Sequence, residues 1–96
     1  MKFSLVIPVA PERNAQIVES LKNIDYSKDK FQIIVVKGKN PSENRNKGFE
    51  KSKGEIIGFL DDDATVDKNI LRNVEEFFKK YPEIDIVGGP QLTRKD

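Results

Sequence analysis

Asp61, Asp62 and Asp63 stand side by side directly after the apolar run Ile56, Ile57, Phe59 and Leu60. Adjacent carboxylates repel one another and lose hydration as they approach a buried strand, so a cation among them is stabilising. Carboxylate oxygens are hard ligands suited to Mg²⁺ or Mn²⁺, ions that keep several waters and accept phosphate oxygens to complete their shell. The chemistry on offer is a metal–diphosphate site. The same run also reads as a solvated acidic turn ahead of a helix, and composition does not choose between the two. Arg45 lies early in a polar helical segment, where a guanidinium can hold a phosphate, stack on a base, or form an ordinary surface ion pair. Asn46 beside it is a candidate for bridging buried backbone groups, and Gly48 for letting a helix lie close to a sheet.

The rest of the chemical menu is short. The 96 residues include neither Cys nor His, which removes disulfides, thiolate metal sites and the commonest general base. Acid–base or metal chemistry must rest on Asp, Glu, Lys or Tyr. With 17 basic and 16 acidic residues the net charge is +1, so bulk charge gives no pull toward nucleic acid or an acidic membrane. No run approaches the roughly 20 apolar residues of a membrane span. Phe3 to Ala10 is too short for a secretory signal. The expectation is a soluble, cytoplasmic chain, and the length is that of one domain spanning residues 1–96.

The elements that must position these residues alternate in type. Apolar runs at Phe3 to Val9, Phe31 to Val36, Glu55 to Leu60 and Ile84 to Val87 read as strands. Between them lie three helical patterns. In the first, Pro11 suits an opening turn and Ile17, Val18, Leu21 and Ile24 recur at helical spacing. The second starts at Asn40 as N-cap, with Pro41 at N1 and Glu43 at N3, and Gly54 is placed to end it. It is oddly polar: Phe49 is its one large apolar residue between Pro41 and Lys53, so its inner face must be built from small or polar groups. In the third, Asp67 is the expected cap and Ile70, Leu71, Val74, Phe77, Phe78 and Tyr81 form an amphipathic stripe stopped by Pro82. Gly88, Gly89 and Pro90 end the last strand, and Gln91 to Asp96 reads as a loose polar tail. The βαβαβαβ order predicts an α/β, Rossmann-like, mainly parallel sheet with right-handed crossovers. Ligands of such sheets bind at the carboxyl ends of the strands, where Pro8 to Arg13, Lys37 to Asn40 and Asp61 to Asp63 fall.

These stretches together resemble family 2 glycosyltransferases of GT-A fold. Ser4-Leu5-Val6-Ile7-Pro8-Val9 is similar to the family's opening strand, Ile33-Ile34-Val35-Val36 to its second, and Arg45-Asn46-Lys47-Gly48 to its Arg-Asn-x-Gly helix. Lys53-Gly54-Glu55 with Phe59-Leu60-Asp61-Asp62-Asp63 resembles the segment bearing the Asp-x-Asp signature, and Ile86-Val87-Gly88-Gly89-Pro90 the strand after it. The resemblance implies a nucleotide-diphosphate sugar as partner and Mn²⁺ or Mg²⁺ as cofactor. It implies that Pro8, Val9 and Glu12 border base and ribose, that Arg45 lies by the base or diphosphate, and that Asp62 approaches the ribose. Asp63, and more loosely Asp61, would hold the metal. Inverting, metal-dependent transfer and peripheral membrane association of full-length members follow from the same resemblance.

Two departures shape the expectation. After the second strand the family usually has an Asp that accepts a hydrogen bond from uracil; here stands Lys37, a donor only, so the base is met differently, through Asn40, or is not uracil, or Lys37 is an exposed strand-end charge. Family members also run well past this length, into an acceptor-binding half that carries the catalytic base. The expectation is therefore a donor-binding half-domain with no catalytic residue of its own. Without the family's later antiparallel strand beside the Asp-bearing one, an apolar edge would stand open and favour a homodimer or strand exchange. Two other classes compete. A nucleotidyltransferase calls for a Gly-rich basic loop after the first strand, and Pro8 to Arg13 has no Gly. A non-catalytic binding or assembly module would keep the fold and the ligand without turnover.

Overall fold

The structure, a computed structural model, describes residues 2–82 together with the backbone of two strands at 86–87 and 91–94. In chain order the elements are β1 (Phe3–Val9), α1 (Ile17–Leu21), a 3₁₀ turn (Lys28–Lys30), β2 (Phe31–Lys37), α2 (Pro41–Lys51), β3 (Ile56–Phe59), α3 (Ile70–Lys80), β4 (Ile86–Val87) and β5 (Gln91–Arg94). The sheet order is β2-β1-β3-β5-β4. β1 pairs in parallel with β2, Phe3 opposite Phe31 through Val9 opposite Lys37, and in parallel with β3, Phe3 opposite Ile56 through Val6 opposite Phe59. The α/β expectation and its parallel crossovers hold.

The far side of the sheet differs from expectation. Residues 91–94 form β5, which lies antiparallel between β3 and β4, with Phe59 opposite Gln91 and Ile86 opposite Thr93. The stretch Gln-Leu-Thr-Arg was read by its polarity, whereas its alternation is the strand signal. The edge of β3 that was expected to stand open is therefore covered by this same chain, and the argument for dimerisation through it loses its basis. The open edge on the opposite side is β2. Ile84, the expected start of β4, and Gly88 to Pro90 lie outside the described residues.

β1 is the hub because both of its faces are covered. Its odd-numbered residues Phe3, Leu5, Ile7 and Val9 enter an apolar core with Ile17 and Leu21 of α1, Leu71 and Phe78 of α3, and Phe31, Ile56 and Leu60. Pro11 does not open α1; it sits in a turn and the helix begins at Ile17. Asp67 likewise stands ahead of α3, where its carboxylate accepts a hydrogen bond from the Asn69 amide at 2.8 Å and its carbonyl one from the Ile70 amide. Tyr26 ties this layer together: its ring meets Phe3 edge-on at 5.4 Å, and its hydroxyl donates to the Glu75 carboxylate at 2.8 Å. No helix among the described residues is long and apolar enough to cross a membrane.

The other face of β1 meets α2 through small and polar groups, as the helix's composition predicts. Gly48 lies so close that a Cβ there would fall 2.2 Å from a methyl of Val6. Asn44, Gly48 and Ser52 are buried at i, i+4 and i+8, while Asn46 faces solvent. The buried amide is therefore Asn44, two residues earlier than the Asn46 singled out from sequence. Ser4 is wholly buried; its hydroxyl donates to Gln32 Oε1 and accepts from the Lys53 and Gly54 amides at 3.1 and 2.8 Å. Gly54 serves close approach more than helix termination: α2 is already capped at Ser52, and a Cβ on Gly54 would lie 2.5 Å from the backbone of Phe3 and Ser4.

Two outcomes follow from this packing. Backbone cannot move aside as a side chain can, so Gly54→Ala is expected to destabilise the fold by about 1–3 kcal/mol, read from the urea midpoint at unchanged slope. Burial, reinforced by the hydrogen bond to the Glu75 carboxylate, pushes the Tyr26 phenol up to about 12 from 10.0. A group whose folded value is raised holds its proton more tightly when folded, so its contribution is full below the unfolded value and is lost as pH rises from about 10 toward 12. Tyr26→Phe is expected to remove that part of the alkaline loss of stability, seen as a smaller drop in urea midpoint than the parent shows over the same pH steps.

Candidate nucleotide-sugar site

Three loops gather at the carboxyl edge of the sheet, each continuing a parallel strand. The pairing of β3 with β1 runs on to its exit, where the Leu60 amide donates to the Val6 carbonyl at 3.0 Å. The acidic turn follows at once. On the opposite side of β1 the Gly38 amide donates to the Val9 carbonyl at 3.0 Å, which fixes the start of the β2–α2 loop.

The acidic turn is attached twice to the β1–α1 loop. The Asp62 carbonyl accepts from the Ile17 amide at 2.9 Å, at the first residue of α1. The Arg13 guanidinium lies against the carboxylates, with Nε 2.8 Å from Asp62 Oδ2 and Nη2 3.6 Å from Asp63 Oδ2. The two carboxylates differ in setting: the Asp62 side chain is 13% exposed and that of Asp63 is 63% exposed. Asp61 is exposed. Arg13 itself is placed by a tight reversal in which its amide donates to the Ala10 carbonyl at 3.0 Å.

The β2–α2 loop has its own internal support. Asn40 caps α2 as its sequence predicts, its side-chain oxygen accepting from the Glu43 amide at 3.2 Å. Asn44, one turn into the helix, donates through Nδ2 to the Gly38 carbonyl at 3.0 Å. A Cβ on Gly38 would fall 2.3 Å from the Asn44 Oδ1, so the pair fits only with glycine at 38.

The remaining expected site residues are distributed around this edge. Pro8 is half-buried, and Val9 is in the apolar core, which leaves its backbone and not its side chain for a ligand. Glu12, Lys37 and Arg45 are exposed. Direct side-chain contact joins Asp62 and Asp63 through Arg13, a residue the sequence placed at this edge without a role. Asn44 was missed; its signal was the small-and-polar spacing Asn44, Gly48, Ser52 on a helix short of apolar residues.

The resemblance read from the sequence assigns the cation to Asp63 and, more loosely, Asp61, with Asp62 turned to another task. Among the described residues no three acidic side chains converge as a metal cluster, and Arg13 contacts both Asp62 and Asp63. The chemistry of the donor set still suits a small hard cation. Mg²⁺-type ions are usually held by one or two carboxylates and completed by substrate phosphates and water, not by an all-protein cage, and Asp61 and Asp63 are two exposed carboxylates flanking a held one.

A mainly parallel sheet with its loops arranged in this way defines an α/β fold of the GT-A type. The family model for glycosyl transferase family 2 matches residues 10–96, and the chain belongs to that family. Its sequence is 32% identical over 81 residues to the minor teichoic acid biosynthesis protein GgaA of Bacillus subtilis (strain 168), an alignment covering 82% of this chain and 18% of GgaA. The chain thus spans about a fifth of that relative's length. The crystal structure of S. aureus TarS superposes with a TM-score of 0.78 at 22% identity, covering 90% of this chain and 21% of that one. TarS 1–349 in complex with UDP-GlcNAc gives 0.76 at 22% identity, over 85% of this chain and 32% of that one. At such identity these structures establish the shared fold.

The Asn44–Gly38 bond is the part of the site whose removal is easiest to read. Asn44→Ala leaves the half-buried Gly38 carbonyl without this donor and is expected to cost about 0.5–1.5 kcal/mol, with faster amide exchange at residues 38–40 than in the parent as the accompanying measurement.

Proposed function

We propose that this chain binds the donor of a family 2 glycosyltransferase, a nucleotide-diphosphate sugar, across the loops that follow β1, β2 and β3. The observation that carries the reading is the acidic turn at the exit of β3, anchored by both backbone and side chain to the loop after β1. Family membership and the fold shared with a UDP-GlcNAc complex support it.

In this reading Pro8, the Val9 backbone and Glu12 border the base and ribose, and Asp62, already oriented by Arg13, meets a ribose hydroxyl. Arg45 faces the base or the diphosphate. Lys37 and Asn40 stand where the base edge would be read, and a lysine there donates only, which favours a base presenting acceptors. Asp61 and Asp63 are the residues that would hold Mn²⁺ or Mg²⁺, and such an ion supplies neutralisation of charge on the departing diphosphate. The chain's own contribution is to orient the donor and to set fixed charge and dipoles around its phosphates. Deprotonation of the acceptor hydroxyl is assigned to no residue among these 96. A second reading, a module that binds the donor without turnover, draws on the Arg13 pairing, which satisfies the acidic turn without a metal ion.

Calorimetric titration of UDP-, GDP- and dTDP-sugars with and without Mn²⁺ tests the proposal. One donor class is expected to bind with a clear Mn²⁺ requirement, and Asp63→Asn to weaken it by about 10- to 100-fold, the scale on which metal affinity responds to changes around its ligands. Binding of no donor by the parent, or binding as tight as the parent's by both Asp61→Asn and Asp63→Asn, would overturn the assignment. Release of free nucleoside diphosphate at an appreciable rate would exclude the second reading, since the module should bind and not turn over.

A further inference from the structure

Arg13 makes two unequal contacts. Its inner nitrogen Nε is at full hydrogen-bond distance from the sheltered Asp62, while its outer Nη2 is 3.6 Å from the exposed Asp63. The Asp62 contact is held by a loop fixed at both ends, through the Arg13 amide on Ala10 and the Ile17 amide on Asp62. The Asp63 contact is longer and lies in solvent, so it is the one that can be exchanged at little cost. A divalent ion on Asp63 would sit within a few ångströms of the guanidinium, and like charges at that distance repel. A diphosphate relieves both charges together, because a guanidinium fork matches phosphate oxygens bidentately.

We propose that Arg13 couples the divalent ion to the nucleoside diphosphate: it shields Asp63 while no donor is bound, and turns its outer nitrogens to the diphosphate when ion and donor arrive together. Its bond to Asp62 persists throughout, so Arg13 is a positioning residue for the turn and a contact for the diphosphate. The proposal rests on the donor-binding reading above. It adds an order to binding: the ion alone is disfavoured, the nucleotide and ion favour each other, and by linkage the effect is reciprocal.

The test measures Mn²⁺ binding to the 96-residue chain by electron paramagnetic resonance of the free ion. It is run with Mn²⁺ alone and with whichever of UDP and GDP binds the parent more tightly, in the parent, Arg13→Gln and Arg13→Lys. Arg13→Gln is expected to tighten the binding of Mn²⁺ alone by roughly tenfold, the size of a modest near-surface charge repulsion, and to weaken the nucleotide in the presence of Mn²⁺. Arg13→Lys should keep the weak binding of the ion alone and lose part of the nucleotide affinity, since it retains the charge without the fork. A structural staple alone would not make any ligand bind more tightly when removed. Folded Arg13→Gln with unchanged affinity for Mn²⁺ alone and unchanged coupling overturns the proposal; if that variant does not fold, unchanged nucleotide affinity in Arg13→Lys does so. A parent that binds neither nucleotide with Mn²⁺ overturns the donor-binding reading itself, a distinct result, and this proposal with it.

Discussion

A strand buried on both faces cannot deliver three successive carboxylates to its end without something to meet their charge. That constraint governs the carboxyl edge of this sheet. β3 is buried along Ile56, Ile57 and Gly58, and only two residues separate Gly58 from Asp61. Asp62 turns back against the protein and is largely sheltered, so its carboxylate needs a donor; Asp61 and Asp63 turn outward into water. Arg13 supplies the donor from across the neighbouring loop. An ion pair this close to solvent is worth about 1 kcal/mol or less, too little to hold the fold together. Its consequence is geometric: it goes with the one carboxylate that faces inward and leaves the other two in water.

The same edge depends on an asymmetry between the two faces of β1. Toward α1 and α3 the strand presents large apolar side chains, and burial of such groups, at roughly 1.5–3 kcal/mol each, is where stability resides. Toward α2 it presents Ser4 and Val6 to Asn44, Gly48 and Ser52. Small groups bury little area, yet they let the helix lie directly on the strand. Close approach lets one turn of α2 reach back to the β2–α2 loop, with Asn44 on the Gly38 carbonyl and Asn40 on the helix's own amide. The polar helix gives up hydrophobic burial and gains a rigid loop at the ligand edge, where a large side chain at position 44 or 48 would have pushed the helix away.

Much of this could be read from residue order, and the failures have physical causes. β1, β2 and β3 were legible because continuous Val and Ile runs between turn residues are a strong strand signal, and α2 because Asn40, Pro41 and Glu43 make a specific start. β5 was not, since an edge of alternating Gln, Leu, Thr and Arg carries its information in period and not in hydrophobicity, and its pairing with β3 is a long-range choice. Pro11 misled because proline suits a first helical turn and a β-turn equally. At the site, the acidic run declared itself, whereas its counter-charge did not: Arg13 and Asp62 are 49 positions apart, and no local spacing announces such a pair. Asn44 and Asn46 sit on the same helix two residues apart, nearly opposite one another around its axis, so a shift of two positions decides which of them is buried.

The site's geometry is also local in a useful sense. Every loop that forms it leaves one of three mutually parallel strands, and β1, at their centre, is paired on both sides. β5 covers the outer side of β3, so the strand carrying the acidic turn is paired on both sides as well. The positions of Arg13, Gly38 and Asp62 relative to one another are therefore set by β1, β2, β3 and the helices α1 and α2. Donor recognition and acceptor activation make different demands on a glycosyltransferase: the first needs loops held rigid against phosphate charge, the second needs a base aligned with an incoming hydroxyl. In this chain the loops after β1, β2 and β3 are held by hydrogen bonds that close within residues 9–63. The carboxyl edge is thus held by short-range contacts that the three parallel strands bring together.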